Sequence, residues 1–307
     1  MNDRYEAVID AAVDKLGSPY VYGTWGQLCT PALRKRYANY NPSQREITFQ
    51  RCQVLRDSDP KPSCAGCKYN GMLAFDCRGF THWCVLKAGI DIYGQKVSVQ
   101  YDTAKNWDMR GDIGLMPDLV CCVFLDGHTG LHLGGGRIIH CSGEVKLEQM
   151  GEIRKWTRFA VPKGLYTMAE IAEAIAAEGV EIRQLRRGDR GLTVVYLQAL
   201  LRQHGYDCGL IDGAFGAGTE AAVRAAQEQA AVRVDGVCGP ATWALLTDPD
   251  APELPDDDDQ LPERPDEEGR EEQTQNTEQK EDELDMIREK LLEALDIIDR
   301  LKGGETE

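Results

Sequence analysis

The segment FDCRGF, residues 75–80, stands directly before the helical pattern THWCVLKAGI, residues 81–90. The apolar spacing of this pattern predicts a helix that begins near Cys77 and ends at Gly89. A thiol at a helix N-terminus faces unpaired N–H groups and the positive end of the helix dipole, and both favour the thiolate. The sequence therefore predicts a nucleophilic Cys77 with a lowered pKa, whereas Cys84, two turns deeper, is predicted to be an ordinary buried thiol.

Three short apolar runs follow in DLVCCVFLDGHTGLHLGGGRIIHCSG, residues 118–143. CCVFL, HTGLHL and RIIHCS are predicted as strands, with GGG as a hairpin turn between the last two. This pattern puts His128 at a strand start, near a cleft rim, and His140 one hairpin away beside it. Such a pair can use one imidazole as a base and the other to fix its tautomer. On these residues alone, core thiols and polar strand histidines remain the alternative.

The composition limits the classes of protein to which the chain can belong. Its 307 residues suffice for two domains, and a hydrophobic content of 42% supports a sizeable core. There is no apolar run of about 18 residues, so no membrane span is expected. The first residues lack a signal-peptide pattern, so we expect synthesis in the cytoplasm, where thiols stay reduced. Eleven cysteines, an odd number, argue against a full disulfide framework.

Most of the net charge of −16 lies near the C-terminus. Residues 248–283 hold 17 acids against three bases, and the first 247 residues are nearly neutral, which gives no indication of nucleic-acid binding. Residues 248–282 are therefore predicted to be an acidic disordered linker. The 3-4-3-4-3 apolar spacing in residues 283–302 predicts an amphipathic coiled-coil helix. It either pairs with copies of itself, giving a homo-oligomer, or folds back on its own chain.

The order of these motifs resembles the NlpC/p60 family of cysteine peptidases, which are papain-like and act on bacterial cell-wall peptides. The family pattern is Tyr-x-x-Gly, then Asp-Cys-Ser-Gly before a helix, then a His-Gly segment and a third polar residue. The matching residues are Tyr20, Gly23, Asp76, Cys77, Gly79, His128 and His140.

The resemblance implies roles for these residues. Cys77 would be the nucleophile, His128 the general base and then acid, and His140 the orienting third member. Tyr20 and Asp76 would help to hold the amino end of the peptide stem. The family serine is replaced by Arg78, a cation that would repel an amine unless Asp76 neutralises it, which favours uncut wall or a different bond.

A Cys-rich insert, residues 24–74, separates Tyr20 from Cys77. Four thiols, two of them in a Cys-x-x-Cys pair, are typical of a tetrahedral structural zinc site, which would also help a segment with little apolar content to fold. Disulfides formed after release, or free thiols, are the alternatives. No cofactor is expected for catalysis. The predicted zinc ligands are Cys29, Cys52, Cys64 and Cys67.

Residues 183–247 closely resemble the peptidoglycan-binding domain type 1, a small three-helix module. The resemblance rests on QLRRGD, residues 184–189, and on two echoing turns, IDGAFG and VDGVCG, residues 211–216 and 234–239. The glycines of these turns are suited to positive φ. Residues 167–182 are predicted to be a helical connector between this module and a catalytic domain, residues 1–166.

The predicted fold class is therefore α+β, with a papain-like catalytic domain, a three-helix binding module and a C-terminal coiled-coil helix. The predicted function is that of an endolysin-like peptidoglycan hydrolase, with peptidoglycan as partner and neither nucleic acid nor membrane. It would cut an amide of the peptide stem, such as D-γ-glutamyl to a diamino acid, after reaching the wall through a separate pore. The alternatives are an N-acetylmuramoyl-L-alanine amidase with the same Cys/His chemistry and a non-catalytic wall-binding adaptor.

Overall fold

The computed structural model describes residues 3–40, 45, 46, 48, 51, 52, 55, 64–151 and 155–247, all within one compact unit, Met1–Asp258. The predicted acidic linker and the predicted coiled-coil helix lie outside the described residues, as does much of the Cys-rich insert. Among the helices that the structure describes, none has both the length and the apolar composition needed to cross a bilayer.

The elements of the described residues alternate between helices and short strands. The helices are α1 (Asp3–Val13), α2 (Pro31–Tyr40), α3 (Cys77–Lys87), α4 (Val97–Asp102), α5 (Met168–Ala177), α6 (Leu192–Gln203), α7 (Ala217–Gln229) and α8 (Pro240–Thr247). The strands are β1 (Trp25–Leu28), β2 (Leu73–Phe75), β3 (Trp107–Asp112), β4 (Cys121–Leu125), β5 (His128–His132), β6 (Arg137–Ser142), β7 (Glu144–Gln149) and β8 (Arg158–Pro162).

A six-stranded antiparallel sheet in the order β3-β8-β4-β5-β6-β7 forms the centre of the N-terminal part. Helix α3 packs against β5 and β6, and α1 packs against α3. The core between them contains Phe80, Val85, Leu131 and Ile139, all fully buried. Burying side chains of this size stabilises a fold by roughly 1.5–3 kcal/mol each. This packing fixes the start of α3 against the sheet.

The helix and strands expected around Cys77 are confirmed. Helix α3 begins at Cys77 and ends at Lys87, and Ala88 is its C-cap. The next residue, Gly89, has a φ of 77°. The three predicted strands correspond to β4, β5 and β6. Gly134, Gly135 and Gly136 form the hairpin turn with φ values of 88°, 58° and 72°. Only glycine adopts three consecutive positive φ angles without steric cost, which explains the GGG run.

The two echoing turns near the C-terminus are braced in the same way by two buried glutamines. Gln198 on α6 accepts from the N–H groups of Asp212 and Gly213, at 3.1 and 2.9 Å. Gln227 on α7 accepts from Asp235 and Gly236 N–H groups, also at 3.1 and 2.9 Å. The amide nitrogen of each glutamine donates back to its own turn and to a threonine hydroxyl of the next helix. The segment therefore contains a structural repeat.

This C-terminal segment adds to the edge of the six-stranded sheet. The backbone N–H of Arg110 on β3 donates to the carbonyl of Ile211 at 3.0 Å, and Ile211 donates to Asp108 at 3.3 Å. Arg202 on α6 donates to the carboxylate of Asp108 at 2.9 Å and to its carbonyl at 3.0 Å. In the residues predicted as a connector, α5 buries its apolar face and packs against α6. The sheet and the three-helix segment are therefore in direct contact.

Candidate active site

Asp76 connects the start of α3 to the Tyr-x-x-Gly segment. As the N-cap residue of α3, its Oδ1 accepts from the Gly79 N–H at 2.6 Å. Its Oδ2 accepts from the Gly23 N–H at 2.9 Å. A methyl group at Gly79 would overlap the carbonyl oxygen of Thr24, so this position requires glycine for close approach. Two motifs that lie 53 residues apart are thus joined through one buried carboxylate.

The thiol of Cys77 is buried at the first position of α3. Burial, followed by the charge of Asp76, raises the pKa of Cys77 to about 11, although its sulfur accepts a hydrogen bond from the Thr129 N–H. The expectation of a lowered pKa is wrong, because the apolar surroundings and a neighbouring carboxylate outweigh the helix start. The thiol is therefore neutral at rest and needs a base to become a nucleophile. Cys84 is fully buried, as predicted.

His128 and His140 form a direct pair on strands β5 and β6, against which α3 packs. His128 Nε2 lies 2.9 Å from His140 Nδ1, and the two rings stand nearly perpendicular, at 89°. The pair forms because Gly130 has no side chain, since a methyl group there would lie 2.9 Å from the Cβ of His140. Trp156 stacks on His128 with ring centroids 5.6 Å apart and also packs against His140. Thr129, the residue after His128, donates its backbone N–H to the sulfur of Cys77. The joint catalytic role of Cys77, His128 and His140 stays a prediction.

Glu148 on β7 also belongs to this cluster, and the sequence analysis missed it. Its Oε1 lies 2.9 Å from His140 Nε2 and 2.9 Å from Lys146 Nζ. Burial alone would raise the pKa of Glu148, but the hydrogen bonds and charges of Lys146 and His140 outweigh it and lower the pKa. The sequence itself shows no more than an acidic residue two positions after Lys146. Using it required the register that pairs Lys146 with His140.

The predicted substrate-binding residues line the same region. Burial, with the charges of Cys77 and Asp76, raises the pKa of Tyr20, so its hydroxyl stays protonated. Arg78 donates to the carbonyl of Gly94 at 2.6 Å and lies 3.9 Å from the carboxylate of Asp76. Arg78 is thus held beside Asp76, and its charge is partly balanced there.

The predicted zinc ligands do not form a preformed metal site. Among the described residues, which include all four of these cysteines, no group of three or more His, Cys, Asp or Glu side chains is placed to hold a metal ion. Cys29 instead accepts from Nε of the buried Arg34 at 3.3 Å. All eleven cysteines are free thiols. The four thiols are nevertheless neighbours, because burial and then the charges of Cys67, Cys29 and Cys52 raise the pKa of Cys64. Zinc binding by these residues stays a prediction.

Residues 190–246 match the family described as "Putative peptidoglycan binding domain". The stretch contains α6 to α8 and both glutamine-braced turns. The spore cortex-lytic enzyme of Bacillus cereus is 35% identical over 83 residues, which cover 27% of this chain and 32% of that enzyme. The chain thus matches about a third of the length of the curated relative. The similarity to peptidoglycan-binding proteins therefore lies in residues 190–246.

Solved structures are similar to portions of the chain. The Burkholderia AP3 phage endolysin is 38% identical over 24% of this chain and 27% of the endolysin, with a TM-score of 0.23. The NlpC/p60 domain of the peptidoglycan hydrolase SagA is 21% identical over 51% of this chain and 97% of that domain, with a TM-score of 0.30. At such TM-scores these likenesses carry no inference about individual residues. The candidate site rests on the contacts described above.

Proposed function

We propose that this protein is an endolysin-like peptidoglycan hydrolase that cuts an amide bond in the peptide stem by Cys/His chemistry. The observation that carries the proposal is the contact of 2.9 Å between His128 Nε2 and His140 Nδ1, together with the hydrogen bond from the N–H of the next residue, Thr129, to the buried thiol of Cys77. A neutral thiol with a raised pKa requires a nearby base, and an oriented imidazole meets that requirement. The bond between D-γ-glutamate and the diamino acid is the proposed target.

In the proposed reaction, His128 Nδ1 takes the proton of Cys77 as the sulfur attacks the amide carbonyl carbon. The carbonyl electrons move to oxygen, and this oxyanion is stabilised by the backbone N–H of Cys77 and the protonated hydroxyl of Tyr20. When the carbonyl re-forms, the C–N bond breaks and His128 gives its proton to the leaving amine. A thioester remains on Cys77. Water then attacks it, His128 takes the proton of the water, and the thiolate leaves and is reprotonated.

Two further features support a wall substrate. The peptidoglycan-binding family match lies on the same compact unit as the candidate active site, and a bound module raises the local concentration of substrate. Asp76 and Arg78 stand together at the start of α3, and the pair offers an anion and a cation to a zwitterionic peptide stem.

The test compares wild-type protein with Cys77→Ala on purified cell wall, with mass spectrometry of the released fragments. Cut stems identify an endopeptidase, whereas intact stems freed from muramic acid identify the amidase alternative. Cys84→Ala is the matched control, because Cys84 is a buried thiol on the same helix, two turns from the site. We expect Cys77→Ala to abolish lysis and Cys84→Ala to retain it. Unchanged lysis by folded Cys77→Ala refutes the proposed chemistry at Cys77, whereas an absence of lysis by the wild-type protein favours the adaptor alternative.

A further inference from the structure

The chain of polar contacts behind the candidate base continues past His140 to a buried carboxylate. Glu148 Oε1 contacts both His140 Nε2 and Lys146 Nζ at 2.9 Å. The side chains of His140 and Glu148 are 0% and 3% exposed, whereas Lys146 is 38% exposed. All three project from one face of the β6–β7 pair, where His140 stands opposite Lys146. A buried acid is thus held between an imidazole and an ammonium group.

The protonation state of Glu148 follows from its two partners. A carboxylate taken out of water without a counter-charge would become neutral. Here the Lys146 ammonium lies in contact with it, and the balance lowers the pKa of Glu148. The carboxylate is therefore ionised at neutral pH, and an ionised carboxylate only accepts hydrogen bonds.

An ionised Glu148 determines which nitrogen carries the proton on each histidine. Facing a pure acceptor, His140 Nε2 carries its ring hydrogen, so Nδ1 of the neutral ring is an acceptor. His140 Nδ1 then accepts from Nε2–H of His128, across the 2.9 Å contact. A neutral His128 that carries its hydrogen on Nε2 has its lone pair on Nδ1. That atom is the one that the proposed reaction uses as a base.

We propose that Glu148, paired with Lys146, is a positioning residue that sets the tautomers of His140 and His128 and so prepares His128 Nδ1 to accept the Cys77 proton. The inference rests on the proposed function, and Glu148 itself touches neither the thiol nor the substrate. The other groups that face this chain of contacts are Trp156, which packs on both histidines, and Asp76 and Arg78, which stand beside Cys77. Glu148 contacts His140, and Lys146 contacts Glu148.

The first experiment measures the tautomers directly in the full chain by ring-nitrogen NMR, which is tractable because the sequence has five histidines. In wild-type protein we expect His128 and His140 to carry their hydrogens on Nε2. In Glu148→Gln the new amide is able to donate to His140 Nε2, and we expect the other tautomer to become populated in both rings. Glu148→Asp keeps an ionised acceptor, and we expect it to restore the wild-type signals. Unchanged tautomers in folded Glu148→Gln overturn the inference.

Kinetics on cell wall supply the second readout. We expect kcat of Glu148→Gln to fall by about 10- to 100-fold with little change in KM, as for removal of other groups that orient an imidazole. The acid limb of the pH profile of kcat/KM is expected to move to lower pH, because loss of a negative charge disfavours the imidazolium form. A loss of activity with no shift of this limb indicates a purely structural role and contradicts the inference.

The matched control is Asp118→Asn, because Asp118 is a carboxylate 3.6 Å from the ring of another strand histidine, His132. We expect it to leave the pH profile unchanged. If Glu148→Gln does not fold, Lys146→Met tests the same chain of contacts. We expect this variant to show a smaller loss of kcat and a partial change of tautomer in the two histidines. No change in either measurement would refute the inference. Failure of the proposed function can be distinguished from failure of this inference. In the first case Cys77→Ala would retain lysis, and the NMR experiment would still decide the role of Glu148.

Discussion

Replacing Asp76 with Asn separates the two roles of the carboxylate that caps α3. Asp76 accepts from the N–H groups of Gly79 and Gly23 through its two oxygens. The Asn amide has one oxygen and one NH₂ group, so one of these N–H groups loses its acceptor. The substitution also removes the negative charge that raises the pKa of Cys77. The change keeps the side-chain size, so no cavity is created.

The two consequences have opposite signs. A buried N–H without an acceptor costs about 1–3 kcal/mol, so we expect the free energy of unfolding to fall by about that amount. Removal of a like charge beside a thiol lowers its pKa, by about one unit for a close neighbour. From about 11 in the wild type, the pKa of Cys77 is thus expected to fall, with roughly tenfold more thiolate at a given lower pH. The variant should be less stable and more readily alkylated.

The assay is the rate of iodoacetamide alkylation between pH 7 and about pH 10, with the Cys77 peptide followed by mass spectrometry. Cys84 in the same digest reports unfolding, because it is fully buried and reacts only when the helix opens. Denaturant unfolding monitored by circular dichroism gives the stability change. An alkylation profile for Cys77 that is unchanged or shifted to higher pH in folded Asp76→Asn would refute the assignment of Asp76 as a cause of the raised pKa.

Three more outcomes follow from contacts described above. In Gly130→Ala the added methyl lies 2.9 Å from the Cβ of His140, and we expect lysis to fall at least about tenfold. The control is Gly114→Ala, which should retain lysis because a methyl at that position meets nothing within 4 Å. Arg202→Ala removes the cation that pairs with the buried carboxylate of Asp108, and we expect the free energy of unfolding in urea to fall by about 2–4 kcal/mol. A change below about 0.5 kcal/mol contradicts this expectation. Burial lowers the pKa of His132, so the unfolded chain binds the proton first as pH falls. Neutral His132 therefore contributes to the free energy of unfolding above about pH 7, and this contribution is lost below about pH 6.5. Between pH 7.5 and about pH 5.5, the free energy of unfolding should decline less in His132→Gln than in the wild type. Equal slopes in the two proteins would disprove this.

Local pattern was sufficient to predict the elements that carry the candidate site. The helix at Cys77 and the strands that hold His128 and His140 follow from apolar periodicity and a glycine run, which are properties of neighbouring residues. The role of Glu148 was not predictable in this way, because it depends on the register between β6 and β7. A strand pattern alone does not show which partner stands opposite a given residue.

The pKa of Cys77 shows a second limit of sequence reasoning. A helix start lowers the pKa of an exposed thiol, but the sequence does not reveal how deeply Cys77 is buried or that Asp76 stands against it. The zinc prediction has the same limit, since thiol spacing along a chain does not report how the sulfurs are arranged in space. The contact of Arg202 with Asp108 joins residues 94 positions apart and left no local signal.

The backbone bridge between Ile211 and β3 also has a consequence for dissecting this protein. Strand β3 is an edge strand of its sheet. An edge strand with unpaired N–H and C=O groups can pair with strands of other molecules. The segment that matches the peptidoglycan-binding family occupies part of that edge. Cutting the chain between this segment and the sheet would therefore expose unpaired backbone groups of β3. Truncated or domain-shuffled versions would then tend to aggregate, and a designer who exchanges the module would need to carry over a replacement for residue 211.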